Sequence, residues 1–217
     1  MNRTNSIQSN IMQKIIRIPS SITPVPELVW YKLNNNIFNY KITNLPVSDA
    51  SCNGIEVYTA SRLVGQNCFS FSGGATSNWI NLPFLTRPTT LSFSCWINVS
   101  TFKVASRIFD YGSSFRLHIR SANRLFFNDV YSITYSTGFQ NVWKHIAFTV
   151  NGLTLTFFEN GVAILVTTMT SPLSSTPSFG YIAHSYGADV NPGGKYSDFR
   201  IYGRVISNAE ILTLYNN

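Results

Sequence analysis

The sequence predicts an all-β protein, a two-sheet antiparallel β-sandwich with a short C-terminal helix. Three observations carry this. From Trp143 to Thr168 the chain reads WKHIAFTVNGLTLTFFENGVAILVTT, three alternating runs joined at Asn151-Gly152 and Asn160-Gly161. Asn-Gly suits the two successive positive φ angles of a type I′ hairpin. About a dozen short runs of β-formers, separated by Gly, Pro and polar turn signals, span the rest of the chain, the pattern of a sandwich. The one good helix signal is Ser207 followed by Glu210, the capping-box spacing, ahead of Ile211-Leu212-Thr213-Leu214-Tyr215.

Taken as two-residue turns, the Asn-Gly pairs set Val150 opposite Leu153, Phe148 opposite Leu155, and Ile146 opposite Phe157. Across the second turn Phe157 faces Ile164 and Leu155 faces Val166. Side chains alternate with period two, so all of these share one apolar face. The opposite face, with His145, Ala147, Thr149, Thr154, Thr156 and Ala163, is expected to be lightly covered or wet; Phe158 and Leu165 are its exceptions.

Before the meander, LVWYKL and IFNYKI follow one another from Leu28, and GIEVYTA, CFSF (68–71) and NWINL (78–82) come next. Leu91–Val99 alternates cleanly, with Leu91, Phe93, Cys95 and Ile97 on one face and Ser92, Ser94 and Trp96 on the other. ASRIFDYG, SFRLHIR, RLFF and VYSITY lead into the meander. Beyond it SFGYIAH (178–184) and YSDFRIYGR (196–204) are strands, with SYGADVNPGGK between them as a long loop.

Residues 1–26 stand apart as an N-terminal arm, with 27–217 as the domain. IMQKIIRI is a short amphipathic run, after which Pro19, Pro24 and Pro26 forbid regular structure. An ordered arm needs a surface to lie on, so a neighbouring protein subunit is the partner expected for it.

Composition narrows the function. Of the 217 residues 44% are hydrophobic and 14% aromatic, ample for a core. Only 12% are charged, about half the usual share, which leaves a surface rich in Asn, Ser and Thr. The net charge of +7 comes from scattered Lys and Arg. With no basic block and no ribonucleoprotein motif, nucleic acid is not an expected partner. No run reaches the ~18 apolar residues of a membrane span, and no signal-peptide core is found. The sequons at Asn2 and Asn98 therefore read as chance. Cys52, Cys68 and Cys95 lack metal-site spacing; Cys95 reads as a core residue, and Cys52 and Cys68 are left either paired or free.

The same segments resemble the concanavalin A-like, laminin G-like jelly-roll family. The pieces are LVWYKLNNN, FSFSGGATSNWINLP, TTLSFSCWINVS, RIFDYGSS, VWKHIAFTVNGLTLTFFENGVAI and YSDFRIYGRVISNAEILTLYN. They reproduce the family's Trp-x-His-Ile/Val-Ala strand at Trp143–Ala147, its Asp-x-Arg-Ile-Tyr at Asp198–Tyr202, and its Leu/Ile-Ser then Ala-Glu-Ile ending at Ile206–Ile211. The resemblance covers roughly residues 28–217 and implies a two-sheet sandwich. Its members bind glycans, proteins or calcium, or serve as structural modules, so the fold does not select among these.

No enzyme is expected. Family glycosidases carry carboxylates spaced along one strand, and retaining hydrolysis needs two of them about 5 Å apart. The nine acids here are isolated, with no pair at i and i+2. There is no G-x-S-x-G nucleophile turn, and His118, His145 and His184 sit within strands as packing residues. No cofactor is expected beyond calcium, for which Asp110 and Asp198, with Asp189 and Asn191, are the oxygen donors available. For a sugar, Tyr186 is the exposed platform beside Asp189 and Asn191; Trp79 with Asn78 and Asn81, and Tyr181, are alternatives. Two readings follow. The first is a non-enzymatic structural protein of a large assembly such as a virus particle, tethered by residues 1–26. The second is a glycan-binding lectin or adhesion module.

Overall fold

The computed structural model describes residues 28–40, 49–74, 78–103, 105–112, 115–135, 138–175, 178–184 and 191–217. The arm, 1–26, lies outside them, as do Tyr186 and Asp189. Two antiparallel sheets face each other. Sheet A runs, in spatial order, β13 (Val162–Thr168), β12 (Thr154–Glu159), β11 (Lys144–Asn151), β6 (Leu91–Thr101), β15 (Gly193–Tyr202), β4 (Asn67–Ser72) and β3 (Tyr58–Ala60). The long strand β15 holds β6 along one side. Along the other, its first half pairs with β4 and its last part with β1 (Val29–Tyr31). Sheet B runs β10 (Tyr131–Thr134), β9 (Arg124–Phe127), β8 (Arg116–Ser121), β7 (Arg107–Asp110), β14 (Ser178–Ile182), β5 (Trp79–Leu85) and β2 (Ser51–Asn53). Leu91, Phe93, Cys95 and Ile97 are fully buried between the sheets, as their alternation predicts. The expected strand IFNYKI is reduced to an isolated bridge, Tyr31 to Asn39, with 41–48 outside the described residues.

Two details of the meander depart from the expected register. Asn160 and Gly161 both take positive φ, as a type I′ turn requires, whereas at the first turn only Gly152 does. Asn151 stays in the ladder opposite Thr154, and Gly152-Leu153 form the turn, with glycine first as in type II′. Moving the turn centre by one residue moves the register by two. Phe148 therefore pairs with Phe157, and Val150 with Leu155, and the apolar face is kept. The second departure changes the face itself. A bulge at Phe157/Phe158 sets Leu165, not Ile164, opposite Phe157. A slip of one residue inverts every side chain beyond it, so Leu165 packs on the core while Ile164 (37% exposed) and Val166 (65%) point out.

The outer face of sheet A is not wet over its middle. The helix α1 (Asn208–Asn216) folds back over it and, with the segment before it, closes a second cluster of Ala147, Phe158, Tyr202, Ile206, Ile211 and Leu214. Ser92 ties the segment down: its hydroxyl donates to the Arg204 carbonyl at 2.8 Å and accepts from Ile206 N–H at 3.0 Å. His145 is buried there, near Trp96 and Tyr215, and burial with Arg62 and Arg200 nearby lowers its pKa to about 3. The capping box forms as read. Ser207 accepts from Glu210 N–H at 3.2 Å, and Glu210 accepts from Ser207 N–H at 2.7 Å.

Arg204, then the Ser207 N–H and hydroxyl, hold the Glu210 carboxyl at about 2 against a burial effect that opposes them. A lowered folded-state pKa stabilises above the ordinary value and is lost below it. Acidification from pH 4.5 towards about 2 should therefore lower Tm, and less steeply in Glu210→Gln than in the parent. Parallel slopes in the two proteins would show that this carboxyl carries no linkage.

The long loop expected over 185–195 ends early, because Gly193 and Gly194 belong to β15. Gly194 sits at φ +142°, where a Cβ would collide with the Asn98 carbonyl on β6. The glycine pair is a close-approach bulge rather than loop punctuation. Cys52 lies in sheet B and Cys68 in sheet A; both are free thiols that burial raises to about 11.

Candidate functional site

The outer face of sheet B carries chemistry that the core does not need. Gly180 and Ile182 face inward on β14, which turns Phe179 and Tyr181 out. Gly180 is required there, since a Cβ would stand 2.5 Å from the buried Tyr111 ring. On neighbouring β5, inward Ile80 and Leu82 likewise turn Trp79 and Asn81 out.

The rings assemble across the two strands. Trp79 stacks on His184 with centroids 4.3 Å apart and planes at 16°. Tyr181 meets His184 edge-on at 4.9 Å and 68°. Phe84 and Phe179 form a second, edge-on pair at 5.1 Å, and both are open to solvent at 51% and 64%. Hydrogen bonds fix the first group, with Trp79 Nε1 donating to Asn81 Oδ1 at 3.0 Å and Asn81 Nδ2 to Ser51 Oγ at 3.4 Å. Burial lowers the pKa of His184; its bond to Asn191 opposes this and Arg107 adds to it. At neutral pH the ring is an uncharged stacking surface.

Register sets Tyr181 between Asn81 and Asp110, and Asp110 beside Arg116. Asp110 is fully covered and bound to Arg107, so it orients that guanidinium instead of meeting solvent. Arg116 pairs with Asp129. His118 Nδ1 is 2.9 Å from Asp129 Oδ1, but not in line for a hydrogen bond. Burial, then Arg116, Arg107 and Arg120, lower its pKa to about 4 despite that carboxylate, so His118 is neutral at pH 7. Arg120 and Arg124 both lie over Phe126, at 5.3 and 5.2 Å. The face is thus aromatic over β5 and β14 and rich in guanidinium over β8 and β9.

Of the residues the sequence singles out, Asn191, Asp110, Trp79, Asn81 and Tyr181 come to this face or its rim. Asn191 is buried and reaches it through His184. Asn78 is a staple, donating from Nδ2 to the Ile55 and Ser70 carbonyls at 3.0 Å each. Asp198 belongs to sheet A, where Oδ1 accepts from Trp30 Nε1 and Arg200 Nε, each at 2.8 Å. Asp110 and Asp198 therefore do not form one ligand set, and each is engaged by an arginine. Among the described residues no three His, Cys, Asp or Glu side chains gather as a metal site would require, and no helix is long and apolar enough to cross a membrane. His184, expected as a packing residue within a strand, instead follows the end of β14 at Ile182 and is half-buried in the ring group; Phe84, Phe179 and Arg107 carry no site reading in the sequence. The signal was Phe-Gly-Tyr, a glycine at an inward position between two aromatics.

No curated protein matches the chain. Its fold is similar to domain 4 of AbnA, a GH43 extracellular arabinanase from Geobacillus stearothermophilus solved with arabinotriose. The identity is 15%, the TM-score 0.72, and the match covers 88% of this chain and 98% of that one. It is also similar to the receptor-binding domain of botulinum neurotoxin mosaic serotype C/D (17% identity, TM-score 0.64, 88% of this chain). The ligand-binding domain of botulinum neurotoxin serotype D, solved with N-acetylneuraminic acid, is a third such structure (18%, 0.60, 88%). This chain spans 50% of each neurotoxin domain. The family model that matches covers residues 71–212, from β4 into α1, and the chain belongs to the concanavalin A-like lectin/glucanase superfamily.

Proposed function

We propose that this chain is a non-catalytic glycan-binding module and that the outer face of sheet B receives the sugar. The observation that carries the reading is the Trp79–His184–Tyr181 group, a stacked pair of rings with a third set edge-on against it, beside a side-chain amide and a guanidinium. Sugar rings present C–H faces that pack on aromatic planes, and hydroxyls that pair with planar amide and guanidinium groups. The exposed Phe84–Phe179 pair extends the apolar track along the same strands. Two of the similar structures were solved with saccharides, arabinotriose in one and N-acetylneuraminic acid in the other, which supports the class of ligand. The assembly reading rests on residues 1–26, outside the described residues, and none of the similar structures named above is a virion protein.

The test is a glycan array on the whole chain, with calcium and with chelator, followed by calorimetry on the best hit; arabinotriose is the first probe. Trp79→Ala should weaken binding at least about tenfold, roughly 1.4 kcal/mol, with Tm little changed because Trp79 lies outside the core. A blank array on folded protein, or a hit that Trp79→Ala leaves intact, would remove this face from the function.

A further inference from the structure

A second site lies outside sheet A, and its argument is independent of the glycan reading. A pocket of about 260 Å³ is lined there by Trp30, Lys32, Arg62, Gln66, Asp198 and Arg200, among others. Each cation is held against an aromatic ring. The Arg62 guanidinium lies 3.8 Å from the centre of Trp96, Arg200 lies 4.4 Å from that of Trp30, and Lys32 sits 4.9 Å from Trp30 and 4.3 Å from Tyr40. The one acidic side chain of the lining, Asp198, is committed to Arg200 and Trp30. Three cations thus share one acidic side chain, and Asn217 lines the pocket beside them.

Arg62 is the informative member. Arg200 has Asp198, but among the described residues Arg62 makes no hydrogen bond and no ion pair; its one direct contact is the stack on Trp96. Burial lowers its pKa, with Asp198 and Tyr215 opposing. Five N–H donors on a rigid fork, partly withdrawn from water and already fixed in position, are what a carboxylate or sulfate needs for bidentate recognition. Because the stack fixes the guanidinium in advance, a ligand forfeits little entropy in ordering it. We propose that this pocket binds a compact oxyanion, a carboxylate or a sulfate, which Arg62 receives while Lys32 and Arg200 balance its charge. Its volume is below the about 300–1,000 Å³ of drug-sized ligand sites, so it admits the anion and at most one attached ring.

Two sources share this chemistry, the free inorganic anion and an acidic monosaccharide. Both are titrated into the whole chain with the Arg Nε–Hε resonances observed by NMR; inorganic sulfate and glucuronate are the probes, and glucose is the neutral control. The Arg62 resonance should move with at least one anion and not with glucose, and raising the salt should weaken the response. Tighter binding of glucuronate assigns the pocket to a sugar-borne carboxylate, and tighter sulfate binding to the free ion; either supports the proposal. Arg62→Gln should lower the affinity at least tenfold. Lys32→Gln, an exposed position that does not cover Trp96, should lower it about threefold and keeps the test open if Arg62→Gln unfolds. No movement of Arg62 with either anion, an equal response to glucose, or full affinity in the Lys32→Gln protein would each overturn the site.

Discussion

Replacing Phe148 by alanine is expected to destabilise the protein by about 3–5 kcal/mol, the range for deleting a large buried aromatic side chain. Phe148 lies on β11, buried where the two sheets meet. Its ring contacts Phe93 and Phe157 within sheet A, and Phe109, Phe115 and Phe127 across the interface, at centroid distances of 4.8 to 6.2 Å. No neighbour can fill the gap without leaving its own place, since Phe93, Phe109 and Phe127 are themselves fully buried. For a domain of this size 1 kcal/mol moves Tm by about 2–4 °C, so a thermal scan should show a fall of about 10 °C. Phe148→Leu, which keeps most of the volume, should lose less than half of that. A loss under about 1 kcal/mol for Phe148→Ala would mean that the cluster repacks, contrary to the close packing of cores.

The second large effect is expected from Glu159→Gln. Lys144 and Glu159 form an ion pair and both are buried, at 2% and 6% side-chain exposure, on β11 and β12. Removing the carboxylate leaves the ammonium withdrawn from water without its counter-charge, which costs about 3–5 kcal/mol. Swapping both partners for apolar residues of similar size, Lys144→Met with Glu159→Leu, should cost far less than the single change. Urea unfolding of the three proteins reads this directly. A double variant as unstable as Glu159→Gln would show that the pair contributes net stability and does more than satisfy itself.

How much of this was legible in the sequence depends on which contacts set each feature. Leu91–Val99 and the helix after Ser207 were readable because their signals are local: an alternation of period two, and a hydroxyl three residues ahead of a carboxylate. The inversion of β13 was not. Nothing in Phe157-Phe158 announces a bulge, and the competing register, with Ile164 and Val166 inward, looks equally apolar. The face of β14 could not be decided from alternation alone, because Phe179 and Tyr181 suit either side; the bulk of Tyr111 behind Gly180 decides it. The candidate site was legible only in pieces. Trp79, Asn81 and Tyr181 were visible as residues of the right chemistry, but His184 becomes a stacking partner only through the pairing of β14 with β5. Arg62 carried no local signal, since its isolation from acceptors is a property of three dimensions.

The place of β15 bears on the order in which the molecule can be made. This strand lies inside sheet A, yet among the described residues it is the last strand in sequence order. Until residue 202 has been added, one flank of β6 is bare, and β4 and β1 lack the neighbour that joins them to the rest of the sheet. The hairpins of β11, β12 and β13, and those of β7 to β10, need only local partners, but closing sheet A requires contacts between the two ends of the domain. Such contacts are slow to form. During synthesis the growing chain therefore carries the unpaired backbone edges of β4 and β6 from the completion of β6 at Thr101 onward, and it is Gly193–Tyr202 that fills the space between them.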